Sequence, residues 1–364
     1  MAEYDIAIVG AGIAGASLAA ECAPDAKVVL LEAEDAPGYH TTGRSAAFWE
    51  ECYGGPALVP LTMASGHYLR DNGFLKERGA LYIAKRSGLP SLDRFMERFG
   101  PTGATIERVG RGALVERLPG LKPAWIEGIW QPRCSDIDVA ALHQLYLAAA
   151  TRAGAAPQLR ARIIDIARDA GAWRLTASDG RCWTAKVLAN AAGAWADGIA
   201  HLAGARALGI QPYRRTVAQL AVDPAPAPGQ PLVLDIEGSF YFKPEGDRIW
   251  LSPHDEEPSA ACDAAPEELA IATAIDRYEN VIDCTIRRVE RKWAGLRSFS
   301  PDRLPVYGWD KARDGFFWFA GQGGFGIQTA PAAARLGAQL ILGQARDALT
   351  QHLDEGVYSP QRFR

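Results

Sequence analysis

The start of the chain carries the feature that most limits its fold, a glycine-rich turn between an apolar run and a predicted helix. Residues 6–9 are apolar, and the turn Gly10-x-Gly12-x-x-Gly15 follows them directly. Residues 16–23 then read as a helix. In such a turn the first glycine permits the tight bend, the second leaves room for a pyrophosphate, and the third lets the helix lie close to the strand. The pattern predicts a strand–turn–helix unit that binds a dinucleotide.

A second predicted strand, residues 27–31, ends in Glu32, 17 residues after Gly15. A carboxylate at this position can accept hydrogen bonds from ribose hydroxyl groups, and it would repel a 2′-phosphate. The helix start adds free N–H groups and a positive dipole end for phosphates. These features favour a bound adenine dinucleotide over an ordinary glycine-rich turn. The expected contacts are Gly10, Gly12, Ile13, Ala14, Gly15, Glu32 and Ala33.

Composition narrows the class of protein. The chain has 364 residues, 48% hydrophobic and 23% charged, which is typical of a globular protein large enough for two domains. A net charge of −4 gives no indication of a nucleic-acid surface. No apolar run reaches ~18–20 residues, so no membrane span is expected, and Glu3 and Asp5 argue against a signal sequence. The cysteines and histidines lack metal-ligand spacing, so we expect no metal site, and reduced thiols in a cytoplasmic protein.

Local patterns divide the chain into two discontinuous domains. Strands predicted within residues 207–300 favour an antiparallel sheet with helices on one side, and a strand at 315–320 followed by a helix at 327–342 returns to an α/β pattern. A further helix begins near residue 139, with Asp136 or Asp138 as its cap. We therefore predict an α/β fold with a Rossmann-like dinucleotide-binding domain and an α+β substrate domain. The first would comprise residues 1–79, 136–206 and 301–364, and the second residues 80–135 and 207–300.

A second glycine loop favours a flavin over a nicotinamide. Residues 321–326 read Gly-Gln-Gly-Gly-Phe-Gly and open the helix predicted at 327–342. A reduced flavin carries negative charge along its pyrimidine edge, and a helix N-terminus stabilises that charge. The alternative is that these glycines serve close packing alone. One helix end at the pyrophosphate and one at the ring edge together suit FAD.

Several stretches resemble flavoproteins of the D-amino-acid-oxidase type, and most closely the bacterial D-arginine dehydrogenases. They are spread over nearly the whole chain and include loops, which makes the resemblance specific. The matching stretches are residues 10–17, 37–47, 136–144, 190–195, 239–244, 293–299 and 315–329.

The resemblance implies noncovalent FAD in the Rossmann-like domain. Relatives that attach the flavin covalently use a cysteine in the C-terminal part, and this chain has none after Cys284. Strand 162–164 would line the adenine, and residues 44–47 would lie beside the isoalloxazine. The cofactor contacts implied beyond the first unit are His40, Thr42, Gly43, Arg44, Ser45, Ala46, Ala47, Ile163, Ile164, Ala192, Gly193, Trp195, Arg297, Gly323, Gly324, Phe325, Gly326, Ile327 and Gln328.

The resemblance also implies a clamp for a substrate carboxylate, formed by Arg215, Arg297, Tyr53 and Tyr241. A planar guanidinium suits bidentate binding of a carboxylate, although a single arginine taken alone is more often a surface ion-pair partner. The carbonyl of Gly295 would receive the substrate amine. Gln328 and Gly324 would border the reacting carbon. Tyr53 lies in a Gly-Gly-Pro-flanked loop that reads as a lid over bound substrate, or as a plain surface loop.

Two departures from the D-arginine enzymes concern the side-chain pocket. Ala80 aligns with their guanidinium-binding glutamate, and Phe48 replaces a histidine. Both changes predict a roomier, more apolar pocket. Glu50 could restore a negative charge, but a glutamate on a lid is expected to be solvated. No carboxylate or histidine in the matched motifs is an obvious general base.

The expected activity is FAD-dependent oxidative deamination of a D-amino acid with an uncharged, bulky or apolar side chain. Hydride would pass from Cα to flavin N5, and the imino acid would hydrolyse to a 2-oxo acid and ammonia. Alternatives are oxidation of a secondary amine, such as an N-alkyl or opine-like amino acid, or of a 2-hydroxy acid, and a flavoprotein that has lost catalysis. The motifs do not encode the oligomeric state or the electron acceptor, which could be a quinone, an electron-transfer protein or oxygen.

Overall fold

The computed structural model describes residues 2–363. None of the helices in this part of the chain combines the length and apolar character needed to cross a bilayer. The α-helices are α1 (Ile13–Cys22), α2 (Val59–Asp71), α3 (Leu89–Phe99), α4 (Arg111–Arg117), α5 (Val139–Arg152), α6 (Ala196–Leu202), α7 (Glu268–Glu279) and α8 (Gly326–Leu342).

The first sheet has a parallel core around strand Tyr4–Val9. This strand lies between Val28–Leu31 and Cys182–Asn190 and runs parallel to both. Phe316–Ala320 adds a fourth parallel strand along the last residues of Cys182–Asn190. Because the carboxyl ends of parallel strands share one edge, both glycine loops and Glu32 meet there. The other strands of this sheet are Pro157–Gln158, Ile163–Asp169, Ala172–Ala177 and Val306–Trp309.

Alternation along the first strand explains why its apolar run is continuous. Ile6 and Ile8 pack into a core cluster that includes residues of α1, α5 and α8. Ala7 and Val9 face the opposite cluster, which includes residues of α6. Successive side chains of a strand point to opposite faces, so a strand covered on both faces must be apolar at every position.

The second, large sheet is built around two long antiparallel strands, Gln211–Asp223 and Thr285–Phe299. The expectation of a purely antiparallel sheet is wrong at one place, because Leu232–Asp235 pairs parallel with Ala80–Lys85. Side-chain alternation reports burial but not strand direction, and 146 residues separate these two strands. Its other strands are Glu107–Gly110, Trp125–Gln131, Tyr241–Glu245, Arg248–Ser252, Glu257–Pro258 and Gln322–Gly323.

The two faces of the large sheet have different coverings. Leu114 of α4 and Ile271 of α7 pack with Leu81, Val233 and Phe242 on one face. The alternate residues of the same strands, such as Tyr241 and Ala80, therefore point to the other face, towards the first sheet. Helix α3 lies on that other face, where its Leu92 packs with Ala84 and Ile129. The predicted arrangement of helices on one side of this sheet therefore holds for α4 and α7 and is wrong for α3, which the short turn at 86–88 folds back onto its own strand.

A small third sheet of Phe48–Trp49, Leu75–Glu77 and Ser135–Ile137 precedes α5. Asp138 caps α5 by accepting a hydrogen bond from the Ala141 amide at 2.9 Å. The other candidate cap, Asp136, binds Arg78 and Lys243 instead. The strands of the first sheet fall in the segments predicted for the dinucleotide domain. Those of the large sheet fall in the substrate segments apart from Gln322–Gly323; the domain boundaries themselves stay a prediction.

Candidate active site

A long cleft runs from the carboxyl edge of the parallel strands to the open face of the large sheet. Its empty volume is about 1580 Å³. This volume includes space open to solvent, and the lining extends from the first glycine turn to Arg215, Tyr241 and Arg297, so one cleft joins the predicted dinucleotide site to the predicted clamp. The predicted site residues on its walls are Gly10, Gly12, Ile13, Ala14, Glu32, Ala33, His40, Thr42, Arg44, Ser45, Ala46, Ile163, Ala192, Gly193, Trp195, Arg215, Tyr241, Gly295, Arg297, Gly323, Gly324, Gly326 and Ile327.

Each glycine of the first turn is explained by what a Cβ would meet. At Gly10 the φ angle is +101°, and a Cβ would lie 2.5 Å from the carbonyl oxygen of Ala191. At Gly15 a Cβ would lie 1.8 Å from the carbonyl oxygen of Gly10, so only glycine lets α1 pack against the turn. At Gly12 a Cβ would meet only the hydroxyl of Thr42, at 3.1 Å, and would otherwise project into the cleft. The turn is therefore shaped for close approach of a ligand.

Glu32 is fixed in the cleft by backbone donors. Its Oε2 accepts from the Ala11 amide at 2.9 Å and its Oε1 accepts from the Glu34 amide at 3.0 Å. The carboxylate is only 8% exposed. Each carboxylate oxygen can accept more than one hydrogen bond, so both keep capacity for the hydroxyl groups of a ribose. This is the arrangement that an adenine dinucleotide requires.

The second glycine loop packs tightly around the other end of the cleft. A Cβ at Gly323, where φ is +52°, would lie 2.1 Å from the ring of Phe299. A Cβ at Gly324 would lie 2.2 Å from the hydroxyl oxygen of Tyr53 and 2.9 Å from Arg297 Nη1. The start of α8 thus lies directly beside the predicted clamp, with its dipole end towards the cleft.

The large sheet brings the clamp residues together. Arg215 stands opposite Gly295 on the neighbouring strand, two residues before Arg297. Arg297 donates a hydrogen bond through Nη1 to the hydroxyl of Tyr53. Within residues 2–363, Arg215 Nη1 and Tyr241 Oη are buried without a hydrogen-bond partner. An unsatisfied buried donor costs about 1–3 kcal/mol, and a bound carboxylate would supply the missing acceptors.

The remaining contacts of Arg215 hold its guanidinium in place. Its Nε donates to the carbonyl oxygen of Asp255 at 2.7 Å, and its Nη2 donates to Glu256 at 3.0 Å. Glu256 also accepts two hydrogen bonds from Arg303, each 2.8 Å long. Sequence reasoning missed this support, because an acidic run after a strand, residues 255–257, normally reads as a solvated loop.

The clamp region is electropositive. Burial, followed by the like charge of Arg297, lowers the pKa of Arg215 to about 10. Burial also lowers the pKa of His254 to about 3, and the charges of Arg215 and Arg297 contribute. Arg215, Arg297 and Arg303 face Asp255 and Glu256, which leaves one positive charge uncompensated among these five groups. An anion is therefore favoured at this end of the cleft.

Tyr53 lies on the loop that was predicted to be a lid. Its ring contacts Phe48 and Phe325, with ring centroids 5.7 Å and 6.1 Å away. Gly54 and Gly55 follow with φ angles of +94° and +97°, which glycine adopts without strain. The structure places this loop over the clamp; its motion stays a prediction.

Some predicted site residues lie off the cleft. Gln328 is buried behind the loop, where its amide bonds the backbone of Glu50 and the hydroxyl of Thr62. Phe48 and Ala80 belong to an apolar cluster with Leu234 and Tyr241 and do not reach the open wall. The others that lie off the wall are Gly15, Gly43, Ala47, Glu50, Tyr53, Ile164 and Phe325.

Two of these expectations need correction. Ile164 is 53% exposed, because it follows Ile163 on a strand and neighbouring side chains point to opposite faces. Glu50 is not solvated but 0% exposed, since the loop folds inward against the large sheet. Burial raises the pKa of Glu50 to about 7, against the hydrogen bond from the Cys52 amide.

The sequence profile of the DAO family of FAD-dependent oxidoreductases matches residues 5–340. The chain belongs to this family. A curated glycine oxidase from Geobacillus kaustophilus (strain HTA426) is 24% identical over 357 residues, which is 93% of each chain.

Solved structures of the same fold agree with this assignment. The crystal structure of glycine oxidase from Geobacillus kaustophilus matches with a TM-score of 0.82 and 23% identity, over 100% of this chain and 99% of that one. L-Proline dehydrogenase from P. horikoshii gives a TM-score of 0.85 and 22% identity, over 99% and 97%. Iminodiacetate oxidase from Chelativorans sp. BNC1 gives 0.79 and 24%, over 98% of each chain. At these identities the structures establish the fold.

This FAD-dependent oxidoreductase has residues that fit its cofactor. The first glycine turn and Thr42 suit the pyrophosphate, Glu32 suits the ribose, and the start of α8 suits the ring edge. When bound, FAD supplies the acceptor for two electrons from the substrate.

Proposed function

We propose that this oxidoreductase deaminates a D-amino acid whose side chain is uncharged and bulky or apolar. The observation that carries the proposal is the pair of arginines beside α8, buried Arg215 and half-buried Arg297, where Arg215 Nη1 and Tyr241 Oη lack partners among the described residues. A carboxylate placed between them would complete both groups. Oxidation then transfers a hydride from Cα, and the imino acid hydrolyses to a 2-oxo acid and ammonia.

The chain's own residues would orient the substrate for this step. Two guanidinium groups and two phenols fix the carboxylate, so that Cα has one position relative to the glycine loop at residues 323–324. Gly295 lies opposite Arg215, where its carbonyl can accept a hydrogen bond from the amine. The apolar cluster of Phe48, Ala80 and Leu234 next to Tyr241 supports an uncharged side chain.

The comparisons do not test the resemblance to D-arginine dehydrogenases or the D-amino acid specificity, and both stay predictions. The similar proteins named glycine oxidase, iminodiacetate oxidase and L-proline dehydrogenase are named after amino acids with a primary or a secondary amine. These names support an amino-acid or related amine substrate. A secondary amine is the second candidate substrate. The clamp recognises the carboxylate, and the carbonyl of Gly295 would accept a hydrogen bond from a secondary amine as well as from a primary one. The cytoplasmic location, the electron acceptor and noncovalent attachment also stay predictions.

An anaerobic screen of D- and L-amino acids tests the proposal. We expect D-amino acids with uncharged, bulky side chains to bleach the oxidised flavin at least about 100-fold faster than their L-enantiomers, since a fixed carboxylate presents the Cα–H of one enantiomer only. The measurement is stopped-flow absorbance at matched concentrations. Faster reduction by L-enantiomers, or a kcat/KM that is highest for D-arginine, would contradict it. Preferential reduction by N-alkyl amino acids would favour the second candidate.

A further inference from the structure

Glu50, Tyr82 and Gln131 form a polar cluster that the clamp does not use. Glu50 Oε2 accepts a hydrogen bond from the Tyr82 hydroxyl at 3.1 Å, and its Oε1 accepts from the Cys52 amide at 2.8 Å. The Gln131 amide favours the charged form of Glu50, although neither of its polar atoms reaches hydrogen-bonding geometry with any of residues 2–363. Glu50 is fully buried, and Gln131 is 1% exposed.

Strand register places this cluster on the same sheet face as the clamp. Tyr241 pairs with Leu234, and Leu234 pairs with Tyr82 on the next strand. Ala80, two residues before Tyr82, pairs with Gln131 on the strand beyond. Strands lie about 4.8 Å apart, so Tyr82 stands roughly 10 Å from Tyr241 across the sheet. That span matches a long or aromatic amino-acid side chain whose carboxylate is held at the clamp.

The wall between the clamp and the cluster is apolar. Phe48, Ala80, Cys134 and Leu234 pack there in one cluster with Tyr241. Leu234 stands between Tyr241 and Tyr82 in this row, and Ala80, which pairs with Gln131, contributes only a methyl group. The rings of Phe48 and Tyr53 pack 5.7 Å apart beside this wall, and none of Glu50, Tyr82 and Gln131 lines the open cleft. A long side chain therefore reaches the cluster only if the glycine-flanked Tyr53 loop shifts, as predicted for a lid.

Burying such a cluster in an apolar wall is costly without a partner. A carboxylate has about four acceptor positions, and Glu50 uses two of them within the chain. The neighbouring buried carboxylate, Glu51, differs in having a cation nearby: it accepts from the Thr105 amide at 2.8 Å, and its Oε1 lacks a hydrogen bond but lies 3.6 Å from Arg133. The charge of Glu51 is thus offset by Arg133, whereas no ion pair joins Glu50 to another of residues 2–363 and both polar atoms of the adjacent Gln131 lack a partner there.

We propose that Glu50, Tyr82 and Gln131 form a distal subsite that binds a hydrogen-bond donor, such as a hydroxyl or ring N–H, at the end of the substrate side chain. The inference rests on the proposed function and narrows its substrate class to long or aromatic side chains with an uncharged terminal donor. Glu50 is the acceptor for that donor, and Gln131 supplies the adjacent amide.

Two pairs of substrates that differ by one terminal hydroxyl test the subsite. They are D-tyrosine with D-phenylalanine, and 6-hydroxy-D-norleucine with D-norleucine. A site built to bind a hydroxyl rejects the analogue that lacks it, so we expect kcat/KM of the holoenzyme to favour the hydroxylated member at least about tenfold. Glu50→Leu should abolish that preference while D-phenylalanine is still oxidised. Glu51→Gln is the matched control and should keep the preference.

Tyr82→Phe gives a second variant that removes one hydroxyl and leaves the core volume nearly unchanged. It should weaken the preference even if Glu50→Leu proves insoluble. Oxidation of all four D-amino acids without a preference in the wild-type enzyme, or a preference that survives in Glu50→Leu or Tyr82→Phe, would overturn the distal subsite alone. Reduction by none of the D-amino acids would instead overturn the proposed function.

Discussion

Arg297→Met is expected to lower kcat/KM for the best D-amino acid at least about 1,000-fold, which corresponds to roughly 4 kcal/mol. The half-buried Arg297 side chain donates a hydrogen bond to Tyr53 and lies beside the Gly324 loop. Methionine keeps the length of the side chain but removes the charge and the bidentate donors, so the substrate loses both binding and orientation. Steady-state kinetics measure the loss, and visible absorbance checks that the flavin remains bound.

Arg288→Met provides the matched control on the same strand. Its side chain is 69% exposed, and Glu290 is its one ion-pair partner among residues 2–363. A surface ion pair contributes about 0–1 kcal/mol, so we expect normal kinetics and nearly normal stability. If Arg297→Met keeps more than a tenth of the wild-type kcat/KM, the carboxylate clamp is wrong.

Gly15→Ala is expected to cause the loss of most of the bound FAD. The new Cβ would lie 1.8 Å from the carbonyl oxygen of Gly10, a backbone atom that cannot move without opening the turn. Displacing α1 moves its free N–H groups away from the pyrophosphate. We expect the flavin content per protein to fall at least about tenfold and Tm to fall as well. The ratio of visible to protein absorbance, with heat-released flavin, gives the measurement.

Gly112→Ala is the matched control, at a glycine where an added Cβ has space. It lies in α4, and a Cβ there would meet nothing within 4 Å. Alanine favours a helix over glycine by up to about 1 kcal/mol, so flavin content should be unchanged and Tm equal or higher. Full flavin content in Gly15→Ala would show that the turn does not hold the cofactor.

The dinucleotide unit was predictable because its constraints are local. Gly15 is required because of the nearby carbonyl of Gly10, and Gly10 because of the carbonyl of Ala191, just after the adjacent strand. The strand before them is buried on both faces. Strands with clear alternation were also predictable: the pattern predicts a strand over residues 248–252, and the observed strand is Arg248–Ser252. The strand predicted over residues 214–222 is longer in the structure, Gln211–Asp223, because pairing with a long partner extends it.

Elements stabilised by distant partners were not predictable. Helix α2 contains Gly66, where a Cβ would lie 2.4 Å from the ring of Trp49, and its Ser65 bonds the carbonyl oxygen of Thr329. The first contact depends on the short strand Phe48–Trp49, and the second depends on α8, far along the chain. The short strands Phe48–Trp49 and Leu75–Glu77 likewise exist only as partners of Ser135–Ile137. Nothing in their own residues separates them from loops.

The clamp could be inferred only through family resemblance, since no spacing relates Tyr53 to Arg297. The burial of Glu50 had no signal at all, because its partner Tyr82 lies 32 residues away and on another element. The charge of Glu50 and its position on a loop predicted a solvent-exposed carboxylate. Tertiary packing against the large sheet buries it instead. Long-range contacts of this kind define the substrate end of the cleft.

The most direct measurement compares a D-amino acid with the amine that has the same side chain but no carboxylate. D-Phenylalanine and 2-phenylethylamine form such a pair, and anaerobic flavin bleaching reports both. If the two arginines hold the carboxylate, the acid should reduce the flavin at least about 1,000-fold more efficiently than the amine. Equal efficiency for the two compounds would contradict the assignment of Arg215 and Arg297 as the groups that position the substrate.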